Sequence, residues 1–173
     1  MSDIGRIIVN TGKGKGKTAA ALGTAFRALG HGHKVCVIQF LKGQGEYGER
    51  LMAEKFDNLD WFICGRGFVF RKENIDDDRK AAQNGFQLAK EKIESDQYDL
   101  IILDEITYLV HYNFVEVEPI VKLLRNKPKR LSIILTGRDA DPKLIEIADT
   151  VSSIESIKHA YDNDIKAQKG IEF

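Results

Sequence analysis

The strongest chemical signal in the chain is the run Asn10-Thr11-Gly12-Lys13-Gly14-Lys15-Gly16-Lys17-Thr18. Glycines alternate with lysines, and a hydroxyl closes the run. Glycine lets backbone N–H groups turn toward an anion and approach it closely. In such a loop Lys17 reaches the outer phosphates of a nucleotide, and the Thr18 hydroxyl holds Mg²⁺. A basic, flexible turn would share this composition, so the flanks decide. Arg6-Ile7-Ile8-Val9 reads as a buried strand, and Ala21, Leu22, Ala25, Phe26 and Leu29 recur at helical spacing. Strand, glycine loop and helix together make a phosphate-binding loop, with the helix adding its positive end. The usual pattern places its first glycine five residues before the last. Thr11 stands there, so the loop is one residue short.

A second signal is Asp99-Leu100-Ile101-Ile102-Leu103-Asp104-Glu105. An apolar run delivers two carboxylates at the end of a strand. Downstream of a phosphate loop, this is where a carboxylate meets Mg²⁺, directly or through water.

Other clusters have plainer explanations. His31 and His33 flank Gly32 after the first helix and read as a glycine cap with polar turn residues rather than a metal site. Asp76, Asp77 and Asp78 suit the first turn of a helix.

The elements that must position these groups alternate along the chain. Strands are expected at 6–9, 34–40, 59–64, 99–103, 131–135 and 150–157. Helices are expected after Thr18, through Met52 and Phe56, around Ala82–Ile93, over Val117–Leu124 and from Asp141-Pro142. The result is an α/β fold of three layers with a mainly parallel sheet of about six strands. In such sheets ligands sit at the carboxyl edge. The phosphate loop, the Gly43–Glu49 segment, Asp104-Glu105 and Gly137-Arg138 all follow strands and should gather there. The tail from Lys158 to Phe173 is expected to pack back.

At 173 residues, the chain is read as a single domain over 1–173 that buries a core without disulfides. Acidic and basic residues balance at 26 each, so no nucleic-acid partner is expected. Cys36 and Cys64 are too few for a disulfide framework. No apolar run approaches a membrane span, and no signal-peptide pattern is visible. A soluble cytoplasmic protein is expected.

Taken together, the motifs resemble the P-loop type of ATP:corrinoid adenosyltransferase almost end to end. The resemblance is carried by Thr11-Gly12-x-Gly14-Lys15-Gly16-Lys17-Thr18, where x is any residue, Arg27-Ala28-Leu29-Gly30-His31-Gly32, Gln39-Phe40-Leu41-Lys42-Gly43, Leu103-Asp104-Glu105-Ile106-Thr107-Tyr108, Leu135-Thr136-Gly137-Arg138 and the tail Ile165–Phe173. It implies a P-loop NTPase-like, RecA-like fold. It also implies transfer of the 5′-deoxyadenosyl group of ATP to cobalt(I) of a corrinoid such as cobalamin, with loss of triphosphate, in adenosylcobalamin synthesis or salvage. The nucleotide would lie reversed compared with most P-loop hydrolases.

By the same resemblance, Lys15, Lys17 and Glu105 are the catalytic residues. Thr11 through Thr18, Arg27 and Arg138 contact the ligands. Thr18, Asp104 and Glu105 hold Mg²⁺. Phe68 and Phe70 displace the lower axial ligand of the corrinoid. A reduced flavoprotein as electron donor and a homodimer are also implied. Two residues depart from the family's habit: Lys13, where Asn or Asp is common, and Phe70, where Trp is common. The competing functions are a P-loop ATP hydrolase or kinase, with Glu105 activating water, and a non-catalytic nucleotide or corrinoid carrier.

Overall fold

The computed structural model describes residues 4–43, 45, 47–67 and 75–172. Six strands, β1 (Ile7–Thr11), β2 (Val35–Gln39), β3 (Leu59–Ile63), β4 (Leu100–Asp104), β5 (Ser132–Thr136) and β6 (Thr150–Ser153), form one sheet in the order β3-β2-β4-β5-β1-β6. Every pairing is parallel. The central strands are apolar on both faces because helices cover both. On β4, Leu100 and Ile102 face α1 (Lys17–Gly30), which presents Ala21 and Ala25. Ile101 and Leu103 face the opposite layer, built from α3 (Ile75–Glu94) and, after α4 (Thr107–His111), from α5 (Val117–Arg125). Small residues let the helices close on the sheet. A Cβ added to Gly85 of α3 would lie 2.8 Å from Cys64 Cβ.

Helix ends follow local chemistry. After Gly30, the N–H of Gly32 donates to Leu29 O and that of His33 to Ala28 O. Gly32 has φ +74°. This is a glycine-closed helix terminus, with Gly32 rather than Gly30 in the left-handed position. The Asp141 carboxylate caps α6 (Pro142–Glu146) by accepting from the Lys143 N–H at 2.8 Å.

Two elements are shorter than expected. The helix α2 (Gly48–Ala53) stops before Phe56. The sixth strand stops at Ser153 because β1, its partner among the described residues, ends at Thr11, which pairs with Ser153. Beyond it, Ile154 turns to bond the glycine loop, and residues 158–172 run on as an exposed strap with one 3-10 turn, Ala160–Asn163.

The sheet register prepares the site. Gln39 pairs with Asp104, and Asn10 with Thr136. The apolar strands therefore end in a rank of buried polar side chains along one edge, Asn10, Gln39, Asp104 and Thr136.

Candidate active site

The glycine loop leaves β1 and rests on the segment after β6. Ile154 N–H donates to Thr11 O at 2.9 Å, and Gly14 N–H donates to Ile154 O at 2.7 Å. A Cβ on Gly12 would sit 2.4 Å from Ile154 O, and one on Gly14 2.5 Å from Glu155 O. Gly12 and Gly16 have φ of +96° and +120°, which L side chains resist. Gly12 and Gly14 thus serve close packing against the segment after β6, and the Gly14 N–H is bonded within the protein itself.

Lys17 begins α1 and is 8% exposed. Its ammonium donates to Gly12 O at 2.9 Å and Gly14 O at 2.6 Å, which leaves a third proton for a ligand. Burial pulls its pKa below the ordinary lysine value, while Glu105 opposes that pull. Thr18, one residue on, donates its hydroxyl proton to Asp104 Oδ1 at 2.8 Å. Its oxygen lone pairs stay available to a cation.

Asp104 is fully buried and fully bonded. Oδ1 also accepts from Thr136 Oγ1 at 2.7 Å, and Oδ2 accepts from Gln39 Nε2 at 2.9 Å. Trp61 Nε1 donates in turn to Gln39 Oε1 at 3.1 Å.

Glu105 differs from its neighbour. It takes a left-handed φ of 67° as the chain leaves β4, and its N–H donates to Thr136 Oγ1 at 2.9 Å. Its Oε2 is buried without a hydrogen-bond partner. Burial, and then the charge of Asp104, push its pKa up to about 7 against the pull of Lys17, Lys42 and Arg138. A buried carboxylate oxygen without a partner, in the field of a lysine, is a place for a cation or a donor.

These groups border a cavity of about 580 Å³. Lys13, Lys15, Lys17, Thr18, Glu105 and Arg138, all expected at the site, line it together with Gly14 and Gly16. Arg138 is set there by Gly137 (φ +137°), where a Cβ would lie 2.0 Å from Thr107 Oγ1, and by the bond from Thr107 Oγ1 to Arg138 O at 2.7 Å. Thr11 and Gly12 support the loop from behind through Ile154. Asp104 lies beneath Thr18 rather than on the cavity wall.

Arg27 is placed elsewhere. It is exposed in the last turn of α1, ten residues or about 15 Å of helix beyond Lys17, and does not line the cavity. Phe68 and Phe70 lie outside the described residues.

The cavity also has walls that motif reading did not assign. Lys42, 3.9 Å from Glu49, comes from the loop after β2. Tyr108 and Tyr112 stand one helical turn apart with rings 6.0 Å apart and nearly parallel, at 15°. The strap brings His159, Ile171 and Glu172, and Glu172 Oε1 pairs with Lys15 Nζ at 2.7 Å. The expected packing of the tail onto the body is therefore not found: its end is tied to the glycine loop by this ion pair, while Tyr161 and Ile165 stay exposed at 80% and 60%. In the sequence these positions are marked only by the family-like motifs around Lys42, Tyr108 and the tail, because their place depends on long-range folding.

Residues 3–173 match the family model described as ATP:corrinoid adenosyltransferase BtuR/CobO/CobP. The chain is 42% identical over 169 residues to the corrinoid adenosyltransferase of Escherichia coli strain K12, covering 98% of this chain and 86% of that one. It is 40% identical over 169 residues to the corrinoid adenosyltransferase CobA of Salmonella typhimurium strain LT2, with the same 98% and 86% coverage. Among solved structures, a KaiC-like protein of Pyrococcus horikoshii OT3 superposes with a TM-score of 0.53 at 14% identity, covering 90% of this chain and 75% of that one. That last likeness concerns the fold alone and agrees with the three-layer P-loop architecture.

Proposed function

The chain belongs to the ATP:corrinoid adenosyltransferase family, and we propose on that premise how its own residues carry the reaction. It adenosylates a corrinoid at the expense of ATP. The observation that supports placing the chemistry in this cavity is the convergence of Lys13, Lys15, Lys17 and Arg138 on one space with Glu105 and Thr18.

Cobalt(I) of the corrinoid substrate gives its electron pair to the 5′ carbon of ATP. The carbon–oxygen bond breaks, and triphosphate leaves with that bond's electrons. Negative charge then grows on the triphosphate oxygens. Lys17, already partly stripped of water, offers its third proton there. Lys13, Lys15 and Arg138 add fixed positive charge, and the helix α1 adds its positive end. Stabilisation that strengthens as the bond breaks accelerates the step.

Mg²⁺ suits this donor set. Thr18 keeps its lone pairs free by donating to Asp104, and Glu105 Oε2 has no partner. Both are hard oxygen donors, and the site leaves the remaining positions to phosphate and water. Asp104, with both oxygens occupied, orients Thr18 instead of meeting the ion itself. When bound, the ion neutralises the triphosphate as a leaving group.

Family resemblance supports three further roles. Phe68 and Phe70 keep the lower face of the corrinoid free of a ligand, so that cobalt(II) is reduced within reach of a mild donor. A reduced flavoprotein supplies that electron. The working unit is a homodimer, acting in the cytoplasm. Among the described residues no helix is long and apolar enough to cross a membrane.

The test is incubation with Mg²⁺-ATP and chemically reduced cobalamin. Light-sensitive adenosylcobalamin and an equal amount of triphosphate are expected. ADP and phosphate without a cobalt–carbon bond would replace this reading with hydrolysis.

A further inference from the structure

His159 lies far from every motif that marks the phosphate loop, yet it lines the same cavity as Lys13, Lys15 and Lys17. Two anchors hold its segment there. Five residues upstream, Ile154 exchanges hydrogen bonds with Thr11 and Gly14 of the loop. Downstream, Glu172 pairs with Lys15 and closes back on its own strap by accepting from the Gln168 N–H at 2.7 Å. His159 is therefore carried to the mouth of the phosphate loop by contacts on either side.

The ring is also oriented. His159 Nδ1 accepts from the Tyr161 N–H at 3.1 Å. That bond puts the lone pair on Nδ1 and the proton on Nε2, so the free edge of the ring is a donor. A donor on a wall of lysines has an obvious complement, an anionic oxygen.

We propose that His159 is a nucleotide-contacting residue, whose Nε2–H donates to a phosphate oxygen of the bound triphosphate chain. The strap from β6 is then the second half of the phosphate cradle, with the glycine loop as the first. The inference rests on the nucleotide reading of the cavity.

The alternative is that His159 only caps the 3-10 turn through Nδ1. Asparagine and glutamine separate the two roles. Asparagine places a polar atom at the reach of Nδ1 and is a good cap. Glutamine places an amide N–H at the reach of Nε2. Binding of Mg²⁺-ATP and of Mg²⁺ inorganic triphosphate is measured by calorimetry on wild type, His159→Ala, His159→Asn and His159→Gln, with melting temperatures recorded. His159→Ala is expected to weaken both ligands roughly tenfold, the loss typical of one hydrogen bond to a charged group. His159→Gln is expected to recover most of that loss, and His159→Asn little. The KM for ATP should follow the same order while kcat changes less. Recovery by asparagine but not glutamine would overturn the proposal in favour of a cap. Loss confined to ATP, with inorganic triphosphate unaffected, would overturn the phosphate contact. If wild type itself bound neither ligand, the nucleotide reading of the cavity would fail first, and this proposal with it.

Discussion

Thr136 holds the site together without touching the cavity, which makes its substitution a sharp test of the geometry. Its hydroxyl donates to Asp104 Oδ1 at 2.7 Å and accepts from the Glu105 N–H at 2.9 Å, and the residue is fully buried. Thr136→Val keeps the shape and removes both bonds. One lost bond involves a carboxylate that has no access to water. The other leaves a buried N–H without its acceptor. Each such loss costs about 1–3 kcal/mol, so the pair should cost about 3 kcal/mol. For a chain of this size that lowers the melting temperature by roughly 6–12 °C. The functional effect should exceed the structural one. Asp104, released on one side, no longer fixes the Thr18 hydroxyl, and Glu105 loses the bond that anchors its left-handed turn. Adenosyl transfer at a temperature where the variant is fully folded should therefore fall at least tenfold, with a raised Mg²⁺ requirement. Thr136→Ser restores both bonds, loses one buried methyl and should cost about 1 kcal/mol. Calorimetric melting of the three proteins, followed by transfer assays across a Mg²⁺ titration, decides the matter. Melting of Thr136→Val within 2 °C of wild type, or a serine variant as damaged as the valine one, would refute the reasoning.

The remaining expectations are briefer. Glu105, raised from 4.5 to about 7 by burial and Asp104, holds its proton in the folded state where the unfolded chain has lost it. The stability this gives is fully present below about pH 4.5 and is lost as pH rises toward 7, about 3 kcal/mol at about 1.4 kcal/mol per pH unit. Glu105→Gln should therefore melt like wild type near pH 4.5 and several degrees higher at pH 8 without ligand, yet transfer poorly; a variant no more stable at pH 8 than at pH 4.5 relative to wild type contradicts this. Lys17→Ala should fold and lose on the order of a hundredfold in turnover, and near-normal turnover in a steady-state assay would remove its role. Gly12→Ala must force a side chain to φ +96° and to within 2.4 Å of Ile154 O, so it should lose about 2 kcal/mol or more in urea unfolding and weaken ATP binding with it.

Much of this fold is readable because local and global demands agree. The runs ending at Val9, Ile38, Leu103 and Leu135 are apolar on both faces, and only a sheet covered on both sides uses such strands. The phosphate loop is readable for the same reason: glycine spacing, Lys17 and Thr18 are local, and strand and helix flank them at once. Boundaries set by partners are less legible. Nothing in Ile154-Glu155-Ser156-Ile157 says that pairing must stop, because the limit is the length of β1, far away in sequence.

The difference between Asp104 and Glu105 shows where sequence reading of the site runs out. Adjacent carboxylates at a strand end look interchangeable as metal ligands. Strand periodicity separates them only once the register is known. Asp104 ends β4 beside Gln39 of β2 and next to Thr136 of β5, so both its oxygens are bonded across the sheet. Glu105 is one step further, where the chain has turned left-handed, and its Oε2 is left without a hydrogen-bond partner in the field of Lys17, Lys42 and Arg138. One carboxylate therefore orients the hydroxyl of Thr18, and the other remains open to a ligand. The same argument applies to the strap. His159 has no local feature that marks it, and Glu172 is marked only by the family-like tail, but β6 lies beside β1, and a chain leaving β6 at its carboxyl end emerges next to the glycine loop. The parallel topology that gathers the loop, Asp104-Glu105 and Gly137-Arg138 on one edge therefore also delivers the tail to the cavity beside the loop.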